Sequence, residues 1–146
     1  MATVELSFTA LPAHVRTARL VATAVARRSG VDESLLDEVR LAVGEACSRA
    51  VEGHQLYCPA EPVRLALTDL AGRFEVEVTD NCAPDARSPA GQVGAGGAAG
   101  GLSLDNNGGL PARLGIAVIE GLADEVHISE TAAGTSIRMS WPSAGA

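Results

Sequence analysis

The sequence predicts an α+β two-layer sandwich, with one mixed, largely antiparallel sheet covered on one face by helices. Three observations predict it. Short segments of strict apolar/polar alternation lie near both ends of the chain and in its middle. Between them stand two long stretches with apolar residues at three- and four-residue spacing, the mark of a helix with one buried face. The resulting order, β-α-α-β-β-loop-α-β-β, gives sheet and helices one apolar face each, and these pack economically as two layers.

Each element has a local cause. Val4, Leu6 and Phe8 alternate with Glu5 and Ser7, a half-buried strand. Pro12 opens a helix where its missing N–H costs nothing. Val15, Ala18, Val21, Ala22 and Val25 form the stripe of this helix, and Gly30 after Arg27–Arg28 stops it. Asp32 is a suitable N-cap for a second helix running to about Gly53, with Leu35, Leu36, Val39, Ala42, Val43, Ala46 and Ala50 on its buried face. Pro59 and Pro62 break the chain. Val63, Leu65 and Leu67, a turn over 69–72, then Phe74, Val76 and Val78 make a hairpin that ends at Asp80. A short helix follows from Leu114, through Val118, Ile119 and Leu122. Val126 and Ile128 begin the next strand, residues 133–135 turn, and Ile137, Met139 and Trp141 alternate in the last one.

Composition bounds the function. At 146 residues the chain suits a single domain, 1–146, with a real core. Hydrophobic residues make up 47% and aromatics only 3%, so the core must be aliphatic. A net charge of −7 argues against a nucleic-acid surface, which needs a basic stripe. All 11 cations are Arg, so Lys chemistry is excluded, and the Arg, Ala and Gly usage suits a GC-rich, bacterial genome. Cys47, Cys58 and Cys82 show no zinc-ligand spacing and read as reduced cysteines. With no signal-peptide pattern and no bilayer-length apolar run, a cytoplasmic, soluble protein away from membranes is expected. Eight of the 16 glycines fall between Gly91 and Gly109, within a non-periodic stretch, about 81–110, that reads as a flexible loop or lid.

Residues 38–54 are the richest in chemistry. Glu45 lies at the edge of a buried helical face, and Arg49 follows one turn later. Asp80-Asn81-Cys82-Ala83-Pro84 leaves a strand end, Arg113-Leu114-Gly115-Ile116 opens a helix, and Gly134-Thr135 joins two strands. In this order and spacing, the four segments resemble the ATP-site motifs of the GHKL (Bergerat-fold) ATPases. The closest resemblance is to the bacterial anti-sigma-factor serine kinases, and it covers about Val4 to Trp141.

The resemblance implies roles residue by residue. Glu45 would be the catalytic base toward a hydroxyl. Asp80 would accept a hydrogen bond from the adenine amino group, and Gly115 would sit at the phosphates. Gly134 and Thr135 would complete the nucleotide site. The chain also departs from the pattern. Arg49 stands where the family has the Asn that holds Mg²⁺, and Arg cannot ligate a metal that wants oxygen. It either neutralises Glu45 or meets phosphate directly. Cys82 and Pro84 replace the glycines after Asp80, and Arg113 replaces the first glycine of the third motif. Without the resemblance, Asp80-Asn81 and Gly134-Thr135 are ordinary turns.

The resemblance therefore implies a partner-switching regulator that binds a sigma factor, an anti-anti-sigma protein of the STAS class, or both. A homodimer is usual in that family. ATP binding would be weak or lost and Mg²⁺ is not expected. The alternative is an active serine kinase acting on the anti-anti-sigma protein. The first helix, with Arg16, Arg19, Arg27 and Arg28, would carry part of the partner surface.

Overall fold

The computed structural model describes residues 2–82, 112–132 and 134–144. Strand β1 (Ala2–Phe8) leads into helix α1 (Pro12–Arg28). A 3₁₀ turn (Glu33–Leu35) precedes α2 (Leu36–Tyr57), and the hairpin β2 (Val63–Leu70) and β3 (Arg73–Thr79) follows. Helix α3 (Ala112–Leu122), β4 (Glu125–Thr131) and β5 (Gly134–Pro142) complete the described chain. The strands form one sheet in the order β1-β2-β3-β5-β4. Among the described residues every pairing is antiparallel. The α+β expectation holds. The glycine-rich segment expected at 81–110 lies, beyond Cys82, outside the described residues.

Helix ends follow their local chemistry. Pro12 occupies the first turn of α1. At its other end, the Val31 amide donates to Ala26 O at 3.1 Å and the Gly30 amide to Arg27 O at 3.2 Å, which satisfies the last carbonyls. Asp32 caps, but what it caps is the 3₁₀ turn, accepting from the Ser34 amide at 2.9 Å. Helix α2 runs past the expected stop at Gly53 because His54 extends its buried face by one more step.

The register puts the large apolar strand residues, Leu70 excepted, on one side. Leu65, Val76 and Met139, with their neighbours Leu67, Phe74, Val78, Ile137 and Trp141, are buried against the helices. The helical side of that core is mostly small: Ala18, Ala22, Ala26, Ala42, Ala46 and Ala50. Small contact residues bring helix axes close together and onto the sheet. Trp141 packs near Phe74, with ring centroids 6.4 Å apart, and its indole N–H donates to Leu122 O at 3.0 Å, locking α3 to the last strand. The other sheet face is polar, with Thr79 and Ser136 hydroxyls 3.0 Å apart and Ser136 donating to Glu77 at 3.0 Å.

One expectation is overturned. Cys58 and Cys82 are joined by a disulfide, with Cα atoms 5.6 Å apart; Cys47 alone is a free thiol. The cause is topological. The added turn of α2 carries Cys58 to the end of the sheet where β3 delivers Cys82, so a sequence separation of 24 residues becomes a contact.

Candidate functional site

Two clusters lie at the end of the sheet reached by β3 and α3. The first is built on Asp80, where β3 ends. Its carboxylate is buried, and Oδ1 accepts from the amides of Thr135 at 3.1 Å and Cys82 at 3.2 Å. The Asp80 amide in turn donates to Thr135 O at 2.9 Å. Gly134 makes this approach possible. Its φ is +150°, and a Cβ there would lie 2.0 Å from Asp80 O and 2.7 Å from Oδ1. No side chain fits, so Gly134-Thr135 is more than a hairpin turn: it is the wall against which Asp80 is held.

The second cluster joins α2 to α3. Glu45 is half-buried, and its Oε2 would lie 2.6 Å from a Cβ placed on Gly115. Glycine at this position lets the carboxylate reach the backbone of the first turn of α3, where helix amides carry partial positive charge. Arg49 is half-buried one turn further along α2, with its Nε shielded from solvent. Among the described residues, no group of three His, Cys, Asp or Glu side chains is placed to hold a metal ion.

All six residues singled out from sequence lie among the described residues. Asp80, Gly134 and Thr135 come together, as do Glu45 and Gly115, and Arg49 follows Glu45 one turn along α2. Sequence reasoning missed a third group that braces the first. His54 is fully buried; its Nδ1 lies 2.8 Å from Glu61 O and its Nε2 accepts from the Asn81 amide at 2.9 Å. Since Glu61 O can only accept, Nδ1 carries the proton. Asn81 Nδ2 donates to Pro62 O at 2.6 Å. The signal was present: His54 continues the Val43, Ala46, Cys47 and Ala50 stripe, and a polar residue on an apolar stripe needs partners.

The model of the histidine kinase-like ATPase domain matches residues 8–141. The chain belongs to that family. Among solved structures it is similar to the crystal structure of the RsbU and RsbW domains of Rv1364c from Mycobacterium tuberculosis, with a TM-score of 0.64 and 20% identity. That match covers 96% of this chain and 32% of the other, so the chain spans about a third of that protein. At this identity the likeness establishes the shared fold. No curated protein matches the chain.

The family implies ATP, and the two clusters fit it unequally. The Asp80 end has what a base-recognition site needs: a buried carboxylate fixed by backbone donors. At the other end, a carboxylate already rests against Gly115, where an anionic phosphate would meet like charge. Arg49 stands one turn further along α2, and an Arg side chain supplies no oxygen ligand to a metal.

Proposed function

We propose that this domain is an anti-sigma-factor-like regulator of a partner-switching system, cytoplasmic and bacterial. It binds a sigma factor or an anti-anti-sigma protein of the STAS class, and its ATP binding is weakened or lost. The observation that carries the loss is the Glu45 carboxylate seated on Gly115, with Arg49 one helical turn away. A surface for protein partners is supported by the outer side of the helices. Leu20 on α1 is 63% exposed and Leu41 on α2 is 50% exposed, with Arg16 and Arg28 also exposed on α1. Single exposed leucines are common, but Arg beside apolar side chains is the composition of interface cores. Arg19 contributes less, because its stem lies across Gly44 and is half-buried, and Arg27 pairs with Glu33 at 3.2 Å.

Capture of partners from bacterial lysate by the purified chain tests this reading. Recovery of a sigma factor or a small STAS protein, reduced by Leu20→Asp, supports it; recovery of neither ends it. Calorimetric titration with ATP and ADP, with and without Mg²⁺, tests the nucleotide half. Absent or weak binding by the wild type, gained in Arg49→Asn, is the expected result.

The retained Asp80–Thr135 geometry favours one alternative, an active serine kinase with Glu45 as base toward a serine of the anti-anti-sigma protein. It requires phosphate transfer from ATP that vanishes in Glu45→Ala. Equal inertness of both proteins with a genuine partner eliminates it.

A further inference from the structure

Cys58 and Cys82 come from elements that the sequence keeps apart, and they meet beside the Asp80 cluster. Cys58 closes α2, its amide donating to His54 O at 2.7 Å, while its carbonyl accepts from the Glu61 amide at 3.0 Å. Cys82 stands two residues beyond Asp80, and its amide is one of the two donors that fix Asp80 Oδ1. Between them, His54 holds Asn81, and Asn81 holds Pro62. The disulfide therefore ties the C-terminus of α2 to the residue that orients Asp80.

The two sulfurs differ in access. Cys58 is half-buried, whereas Cys82 is fully buried. The third cysteine is a spectator: Cys47 is fully buried, and loss of solvation pushes its thiol up to about 12 despite the nearby positive charge of Arg19. Thiolates, not thiols, exchange with disulfides, so Cys47 takes no part.

We propose that Cys58 and Cys82 form a reversible thiol–disulfide modification site, and that its state sets how firmly Asp80 and Thr135 are held. Its consequence for ligand or partner binding rests on the regulatory reading given above; the redox chemistry does not. A small thiolate, RS⁻, reaches Cys58 Sγ first. It forms a bond to that sulfur, the Cys58–Cys82 bond breaks, and the electron pair leaves on Cys82, which takes a proton from water. A second RS⁻ attacks the R sulfur of the mixed disulfide, releasing RSSR and the Cys58 thiolate. Closure is the reverse: Cys58 thiolate attacks RSSR and expels RS⁻. Cys82 thiolate then attacks Cys58 Sγ and expels the second, so two electrons pass to RSSR. The hydrogen bonds of His54 and Asn81 do not depend on the S–S bond. They keep the open thiols adjacent, which makes closure intramolecular.

The test uses the full chain equilibrated in glutathione buffers from fully reducing to fully oxidising, then acid-quenched, alkylated and read by mass spectrometry. Cys58 and Cys82 should convert together, with a reduced-to-oxidised ratio following the square of the reduced glutathione concentration divided by the oxidised glutathione concentration, while Cys47 in the native protein stays unlabelled. Backbone amide exchange at Cys82 and Thr135 should be about tenfold faster or more in the reduced wild type, while the Asn81 amide, held by His54, is little changed. Cys58→Ser should match the reduced protein in every buffer; reduced wild type supplies the same comparison should that variant not fold. Cysteines that stay reduced throughout, or exchange rates indifferent to reduction, overturn the proposal. Failure of partner capture would overturn the regulatory reading and leave these measurements unchanged.

Discussion

Gly134→Ala probes the wall behind Asp80 directly. Ordinary van der Waals contact begins at 3.4 Å, and the new Cβ would lie 2.0 Å from a backbone oxygen, a shortfall of about 1.4 Å. Backbone cannot swing aside as a side-chain tip can, so either β5 or the end of β3 must shift. Three costs combine. Alanine at φ +150° is strained by about 1–3 kcal/mol. Overpacking of this kind costs about 1–3 kcal/mol. Separation of the two segments also weakens the Thr135 amide–Asp80 hydrogen bond, where an orphaned buried group costs about 1–3 kcal/mol. These costs overlap, since the shift that relieves the clash breaks the bond, so about 4 kcal/mol is expected. Urea unfolding followed by far-UV circular dichroism measures it, as a lower midpoint at unchanged slope. Gly121→Ala is the internal control, because a Cβ at that helical glycine meets nothing within 4 Å. A Gly134→Ala protein within about 0.5 kcal/mol of wild type would mean that Asp80 and Gly134 are not in contact, and the site as described would be wrong.

Three further outcomes follow from the same geometry. Reduction of Cys58–Cys82, or Cys82→Ser, opens a loop of 24 residues' separation and should cost about 3 kcal/mol, seen calorimetrically as a melting point lower by roughly 6–12 °C. His54→Phe keeps the volume but strands the Asn81 amide and Glu61 carbonyl, so it should still cost about 2 kcal/mol in urea unfolding; a neutral result would deny the brace. Asp32 is held below the usual carboxylate range by the Ser34 hydroxyl and amide. Because its folded value is depressed, its contribution is present above the ordinary carboxylate range and is lost as pH falls through the folded value. Asp32→Ala should therefore be less stable at neutral pH and equal to wild type in strong acid, and a difference that persists in acid would refute the capping role.

Much of the fold was legible because its signals are local. The β2–β3 hairpin announces itself through six alternating apolar residues about a turn, and α1 through its proline start and glycine stop. The end of α2 was not legible from propensity, since Gly53 reads as a stop; burial of His54 decides otherwise, and tertiary packing overrides a weak local preference. The disulfide was invisible for a different reason. Pairing of Cys58 with Cys82 depends on where α2 ends and on the hairpin register together, and a one-residue error in either would have turned the thiols apart.

The candidate site was half legible, and the division is physical. Motif spacing found each residue of the Asp80 and Glu45 clusters, because a carboxylate at a strand end and one on a helix are placed by the elements that carry them. Spacing cannot say what each carboxylate faces. Asp80 faces two backbone amides, an arrangement that any ligand with a hydrogen-bond donor can extend. Glu45 faces the backbone of Gly115. The two clusters thus differ: the Asp80 carboxylate is braced by His54, Asn81 and the disulfide, whereas the backbone of Gly115 is met by the protein's own Glu45 carboxylate. On the regulatory reading proposed above, the braced Asp80 end is where a ligand without a metal-bound triphosphate would be held.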